Sequence, residues 1–397
     1  MNLISTLAGS LVASLVLVAC GGSDDDGAPT TKGSFTAVVS FGDSLSDIGT
    51  YAPATSLAGT GAPPYFGGKF TTNAIGTGAA DANPLGKVWV ENLAASLGIA
   101  VTPAEAGFNG ASVKCPAAAA SALASSCTGY GQGGARVSNP AGIGHNADGS
   151  GALTVPVVTQ IANHLARFKA FKASDLVLVY AGNNDVFLAI EAYGASAATI
   201  QAQAKAGTLT PAQASAQLDT AQQLADTTVQ QAGKDLAAAV KSQILANGGY
   251  YVAVILLNDI GDTPFGNSLP ASVHTILTEL SKSFNKEVAA DLAGSPIRLI
   301  DTFAHSKVVF ANPAASGFVN NTVPACDGVV ISALTGGAVT DGSSLFCNAT
   351  PGSPVYALRA GASSTTWQFA DGVHPTTGGH KVLSDTFAAQ LKSFGWI

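Results

Sequence analysis

Charged residues are scarce in this chain: Asp, Glu, Lys and Arg together make up 11% of 397 residues, and the net balance is −7. A phosphate backbone would meet neither a basic surface nor releasable counterions, so nucleic acid is not an expected partner. Metal-binding patterns are lacking too. There is no His-Glu-x-x-His and no clustered acidic set, and the intervals of 11 and 20 residues inside the pairs Cys115/Cys127 and Cys326/Cys347 fit no zinc ribbon. The glycines of Tyr130-Gly131-Gln132-Gly133-Gly134-Ala135-Arg136 are not followed by Lys-Ser or Lys-Thr, so they do not form a phosphate loop. Neither a cofactor nor a metal is expected. Beyond residues 3–19 no apolar run is long enough to cross a bilayer, and no repeat of fixed period is present. What remains is a chain with 47% hydrophobic residues and 45 glycines, able to bury a large core.

Residues 3–19 are almost continuously apolar or small and end in Leu17-Val18-Ala19-Cys20, ahead of Gly21-Gly22-Ser23-Asp24-Asp25-Asp26. A run of about 17 apolar residues is short for a membrane span. The pattern resembles a bacterial lipoprotein signal, which implies removal of residues 1–19 and a lipid on Cys20. Residues 20–33, rich in Gly, Asp and Thr, then read as a flexible tether, and 34–397 as one domain. The implied location is the cell envelope, as an outer-membrane lipoprotein or else a secreted protein, with the membrane as a partner through the lipid. Export favours disulfides, and among the three possible pairings sequence proximity favours Cys115 with Cys127 and Cys326 with Cys347.

Thr36 to Phe41 reads as a buried strand stopped by Gly42, and Asp175–Tyr180, Tyr250–Leu257 and Ile297–Ile300 are further apolar runs of strand length. Val88 to Leu97 has a helical pattern. Residues 186–247, heavy in Ala and Gln, predict at least two helices, with Thr210-Pro211 as a start, whereas 51–86 and 107–155 read as loops. Continuous apolar strands separated by helices point to an α/β fold with a parallel sheet covered on both faces.

In such sheets ligands bind beyond the carboxyl ends of the strands, so the residues just after each strand carry the information. After the first comes Gly42-Asp43-Ser44; a serine there is a candidate nucleophile, although Asp-Ser before a helix is also an ordinary N-cap. After Tyr180 comes Gly182-Asn183-Asn184-Asp185, whose amides suit an oxyanion or a turn. Asp371-Gly372-Val373-His374 can fold back so that the carboxylate meets Nδ1 while Nε2 faces the serine. His145, His164, His274, His305 and His380 lack that spacing.

Taken together these blocks resemble the GDSL or SGNH hydrolase superfamily from Phe41 to about Gly379: Phe-Gly-Asp-Ser-x-Ser-Asp at 41–47, Gly-x-Asn-Asp at 182–185 and Asp-x-x-His-Pro-Thr at 371–376. The resemblance implies a flavodoxin-like three-layer fold. It also implies Ser44 as nucleophile, His374 as base and then acid, Asp371 as the orienting carboxylate, and an oxyanion hole from Ser44, Gly133 and Asn184. Gly134 is able to exchange roles with Gly133, and the pattern leaves Asn183 free. The expected activity is hydrolysis of lipid, aryl or acyl-sugar esters, with acyl transfer on the same triad or a catalytically silent surface lipoprotein as alternatives.

Overall fold

The computed structural model describes residues 27–55, 68–74 and 86–397. The proposed signal 1–19 and Cys20 lie outside the described residues. In chain order the elements are β1 (Ala37–Gly42), α1 (Trp89–Ser96), β2 (Glu105–Phe108), β3 (Ala111–Lys114), α2 (Val157–Phe168), β4 (Asp175–Tyr180), α3 (Asn183–Lys205) and α4 (Pro211–Ala239). They continue with β5 (Tyr251–Ile255), α5 (Pro264–Ser268), α6 (Ala271–Leu292), β6 (Arg298–Ile300), α7 (Thr302–Ala311), α8 (Gly328–Leu334) and α9 (Thr377–Ser393).

Parallel pairing joins the central strands in the order β1-β4-β5-β6, with Phe41 opposite Val179 and Gly42 opposite Tyr180. On the outer side of β1 the chain at 128–130 pairs parallel to Ser40: Ser40 N–H donates to Thr128 O at 3.0 Å and Tyr130 N–H to Ser40 O at 2.8 Å. That segment lies between β1 and β4 in sequence, so the order reverses beside β1. Such a reversal opens a crevice at the strand ends. Side chains alternate across the sheet. Phe41 faces His164 of α2, whereas Tyr180 faces Trp89 of α1 and Phe387 of α9, which places helices on both faces.

The two helices expected between 186 and 247 are present. Thr210 caps α4, its hydroxyl accepting from Gln213 N–H at 3.3 Å while Gln213 Oε1 accepts from Thr210 N–H at 2.9 Å. Two expectations need correction. The stretch 107–155, read as loop, contains most of the β2–β3 hairpin, whose Asn109-Gly110 turn has both residues at positive φ (54° and 75°). An Asn-Gly pair is the strongest short hairpin signal, but strands this short and this exposed carry little alternation. The expected tether also ends early. Trp396 Nε1–H donates to Pro29 O at 2.6 Å, Gly33 N–H to Trp396 O at 2.9 Å and the Tyr251 hydroxyl to Thr31 O at 3.2 Å, so residues 29–33 are fastened to the body.

His164 sits in the core among Phe41, Tyr130, Phe168 and Phe171, with neither ring nitrogen bonded among the described residues. Burial disfavours its charged form and pulls its pKa down to about 4. Below 6.5 the unfolded chain therefore takes up a proton that the folded chain refuses until about 4. Stability should fall as pH drops through that window. His164→Leu is expected to shrink the loss of Tm between about pH 6.5 and 4, which thermal melts across pH would read. A loss of unchanged size would mean that His164 does not drive it.

Candidate active site

Gly42, the last residue of β1, has to be glycine because a side chain there would strike the neighbouring strand: a Cβ would lie 2.2 Å from Tyr180 O. The chain then turns. Asp43 Oδ1 accepts from Leu45 N–H at 3.1 Å and caps the short turn that carries Ser44, so the N-cap is made by Asp43 and leaves the serine hydroxyl uncommitted to it. Across the site, His374 Nε2 lies 2.8 Å from Ser44 Oγ. Its Nδ1 faces the Asp371 carboxylate at 2.9 Å (Oδ1) and 2.8 Å (Oδ2). Three backbone N–H groups also converge on Asp371, from Ser344 (2.9 Å), Val373 (3.0 Å) and His374 (2.8 Å). Burial pushes this carboxyl up, but the His374 imidazole and the converging hydrogen bonds outweigh it and hold Asp371 well below the usual carboxylate range. Asp371 is therefore an anion that favours the Nδ1–H tautomer, leaving Nε2 as the proton acceptor.

The other expected blocks are tied into this centre by carboxylates. Asp47 accepts from Gly49 N–H (2.9 Å), Thr50 N–H (2.7 Å) and Gly133 N–H (2.9 Å), fixing the glycine loop to the nucleophile turn. Asp185 accepts from Arg136 Nε–H and Val137 N–H, each at 2.9 Å, and fixes the same loop to the start of α3. The GDSL-like Lipase/Acylhydrolase family model matches residues 38–387. The chain belongs to that family. No curated protein matches it. Family membership makes it a hydrolase of the lipase and acylhydrolase type.

Within this GDSL-family site two expectations change. The Gly133 N–H is committed to Asp47, so it does not face a reacting oxygen. Its neighbour Gly134, at φ +79°, has an N–H without a partner among the described residues, and a Cβ there would meet Ile143 O at 2.1 Å. The open donor is thus the next residue along. Asn183 is not free either: it is 5% exposed, and its amide donates to Asp43 Oδ2 at 3.0 Å. Asn184 donates one amide hydrogen to Ala135 O at 2.8 Å, and its second has no partner among the described residues. The same holds for the Ser44 N–H.

Asp43 is fully buried, and burial raises its pKa to about 6. The hydrogen bonds from Asn183 and Leu45 offset part of that cost. Because the unfolded chain releases this proton near 3.8 and the fold holds it until about 6, stability falls as pH rises through that window, and at neutral pH the turn bearing Ser44 carries the whole cost.

Two residues in the GDSL site escaped the sequence reading. Phe70 lies against the His374 ring, centroids 4.8 Å apart at 38°, and its position follows no pattern. Ser344, which donates to Asp371, stands three residues before Cys347. The disulfides are the expected Cys115–Cys127 and Cys326–Cys347, and the second closes the loop that delivers Ser344. None of the other histidines contacts Ser44: His145 meets Ala152 O, His305 meets Thr386 and His380 bridges Trp89 N–H and Phe70 O.

Proposed function

We propose that the protein hydrolyses carboxylic esters through an acyl-enzyme on Ser44. The observation that carries this reading is the 2.8 Å contact between Ser44 Oγ and His374 Nε2, with Nδ1 held by the Asp371 carboxylate. His374 takes the hydroxyl proton as Oγ attacks the ester carbon. The N–H groups of Ser44 and Gly134 and the second amide hydrogen of Asn184 receive the oxyanion. His374 then gives its proton to the departing alcohol, and water, deprotonated by the same imidazole, releases the acid. Two disulfides support an oxidising compartment, in keeping with export and lipid attachment at Cys20.

A fluorophosphonate probe tests the reading directly: it should label wild type and not Ser44→Ala, and nitrophenyl esters should turn over in proportion to labelling. Absence of labelling in folded wild type would refute an activated serine. Asn184→Ala is expected to lower kcat by roughly a hundred- to a thousandfold with KM little changed, as for loss of one preorganised donor. Asn183→Ala should also reduce kcat, because it leaves the buried Asp43 carboxylate short of a donor. Unchanged kcat in Asn184→Ala would remove that residue from the oxyanion hole.

A further inference from the structure

Beside the strand that delivers the nucleophile, a cavity of about 340 Å³ lies between α2 and the β2–β3 hairpin. Tyr130 forms part of its lining, with its ring against Phe41 at 5.1 Å between centroids. The Tyr130 side chain is buried, 7% exposed, and its hydroxyl bonds to nothing among the described residues. A buried hydroxyl left unpaired is costly, so a ligand that satisfies it binds more tightly.

Acceptors around this cavity are already used. Glu105 takes the Ser112 hydroxyl at 2.5 Å on Oε1, and Lys114 at 2.6 Å and Gln132 at 3.4 Å on Oε2. Gln132 Oε1 takes Val155 N–H at 2.9 Å, and Gln160 Oε1 takes Gly42 N–H at 3.0 Å. Donors are not. Arg167 reaches Ala124 O at 2.8 Å and Cys115 Sγ at 3.0 Å but meets no carboxylate among the described residues, and the Asn163 amide has no partner among them. Lys114 balances Glu105, which leaves the lining with one unmatched positive charge.

We propose that this cavity binds a small organic carboxylate, its oxygens received by Arg167, Asn163 and the Tyr130 hydroxyl, and its apolar body lying against Ala104, Val155 and Ala166. The occupant would rest on Gln160, whose amide also donates to Gly42 O at 2.8 Å, two residues before Ser44. The binding argument is independent of the chemistry assigned to Ser44, although free acids are the product class of ester hydrolysis.

The test uses full-length Ser44→Ala protein, whose cavity lining is unchanged, titrated with butyrate and benzoate by ligand-observed NMR. Butyramide and benzamide serve as neutral isosteres, and sulfate serves as a generic anion. Saturable carboxylate binding is expected, weakened about tenfold by Arg167→Gln or Tyr130→Phe and about tenfold in the isosteres, as for loss of a charge-assisted hydrogen bond. Tyr130→Phe removes only an unbonded oxygen, so its fold and Tm should persist. The proposal is overturned if carboxylates do not bind saturably, if amides bind equally, if both variants keep wild-type affinity, or if sulfate binds as tightly as butyrate.

Discussion

Ser44→Ala should lower kcat/KM on nitrophenyl esters by roughly a millionfold, to the level that oxyanion binding alone sustains. The attacking oxygen is gone, while the turn that held it is intact, because Leu45 N–H is capped by Asp43 and not by the serine. Circular dichroism and Tm should therefore match wild type. His374→Ala should fall nearly as far, since in the proposed mechanism Oγ and Nε2, 2.8 Å apart, exchange a single proton and neither works without the other. The double variant is the sharper measurement. Its rate should be no lower than that of Ser44→Ala, whereas losses that multiply would mean the two residues act separately.

Asp371→Asn is expected to reduce kcat by about ten-thousandfold while leaving KM close to wild type. Three backbone N–H groups and His374 Nδ1 all point at this carboxylate, and a carboxamide has one oxygen to offer them. If its NH2 turns toward the ring, Nδ1 becomes the acceptor and the proton moves to Nε2, where it blocks uptake from Ser44. Rotated the other way, the NH2 opposes the Ser344 or Val373 N–H and the loop loses a bond. Fluorophosphonate labelling should slow in step with kcat. A variant within tenfold of wild type would show that the imidazole needs no anion behind it.

The strands and the triad were legible because their signals are local. Asp175–Tyr180 is a continuous apolar run, and Asp371 and His374 stand three residues apart. What could not be read depends on partners distant in sequence. Gly133 and Gly134 look alike until Asp47, 86 residues earlier, claims one of the two amides. Asn183 looks dispensable until Asp43 is found 140 residues away. Phe70 and Ser344 come from segments without periodicity, brought to the site by packing and, for Ser344, by a loop that Cys326–Cys347 closes.

The fastening of residues 29–33 against Trp396 has a bearing on which way the enzyme faces. Those residues lie at the amino ends of the strands, where Thr36 N–H meets Ser174 O, whereas Ser44 and Asn184 sit at the carboxyl ends. If Cys20 carries the proposed lipid, fewer than ten residues would separate membrane from body, a reach of at most about 30 Å. The strands add roughly 20 Å of depth beyond that. Held on so short a leash, the molecule would present its termini to its own bilayer and its nucleophile to the opposite side, so esters arriving from the surroundings would be reached more readily than lipids of the membrane that carries it.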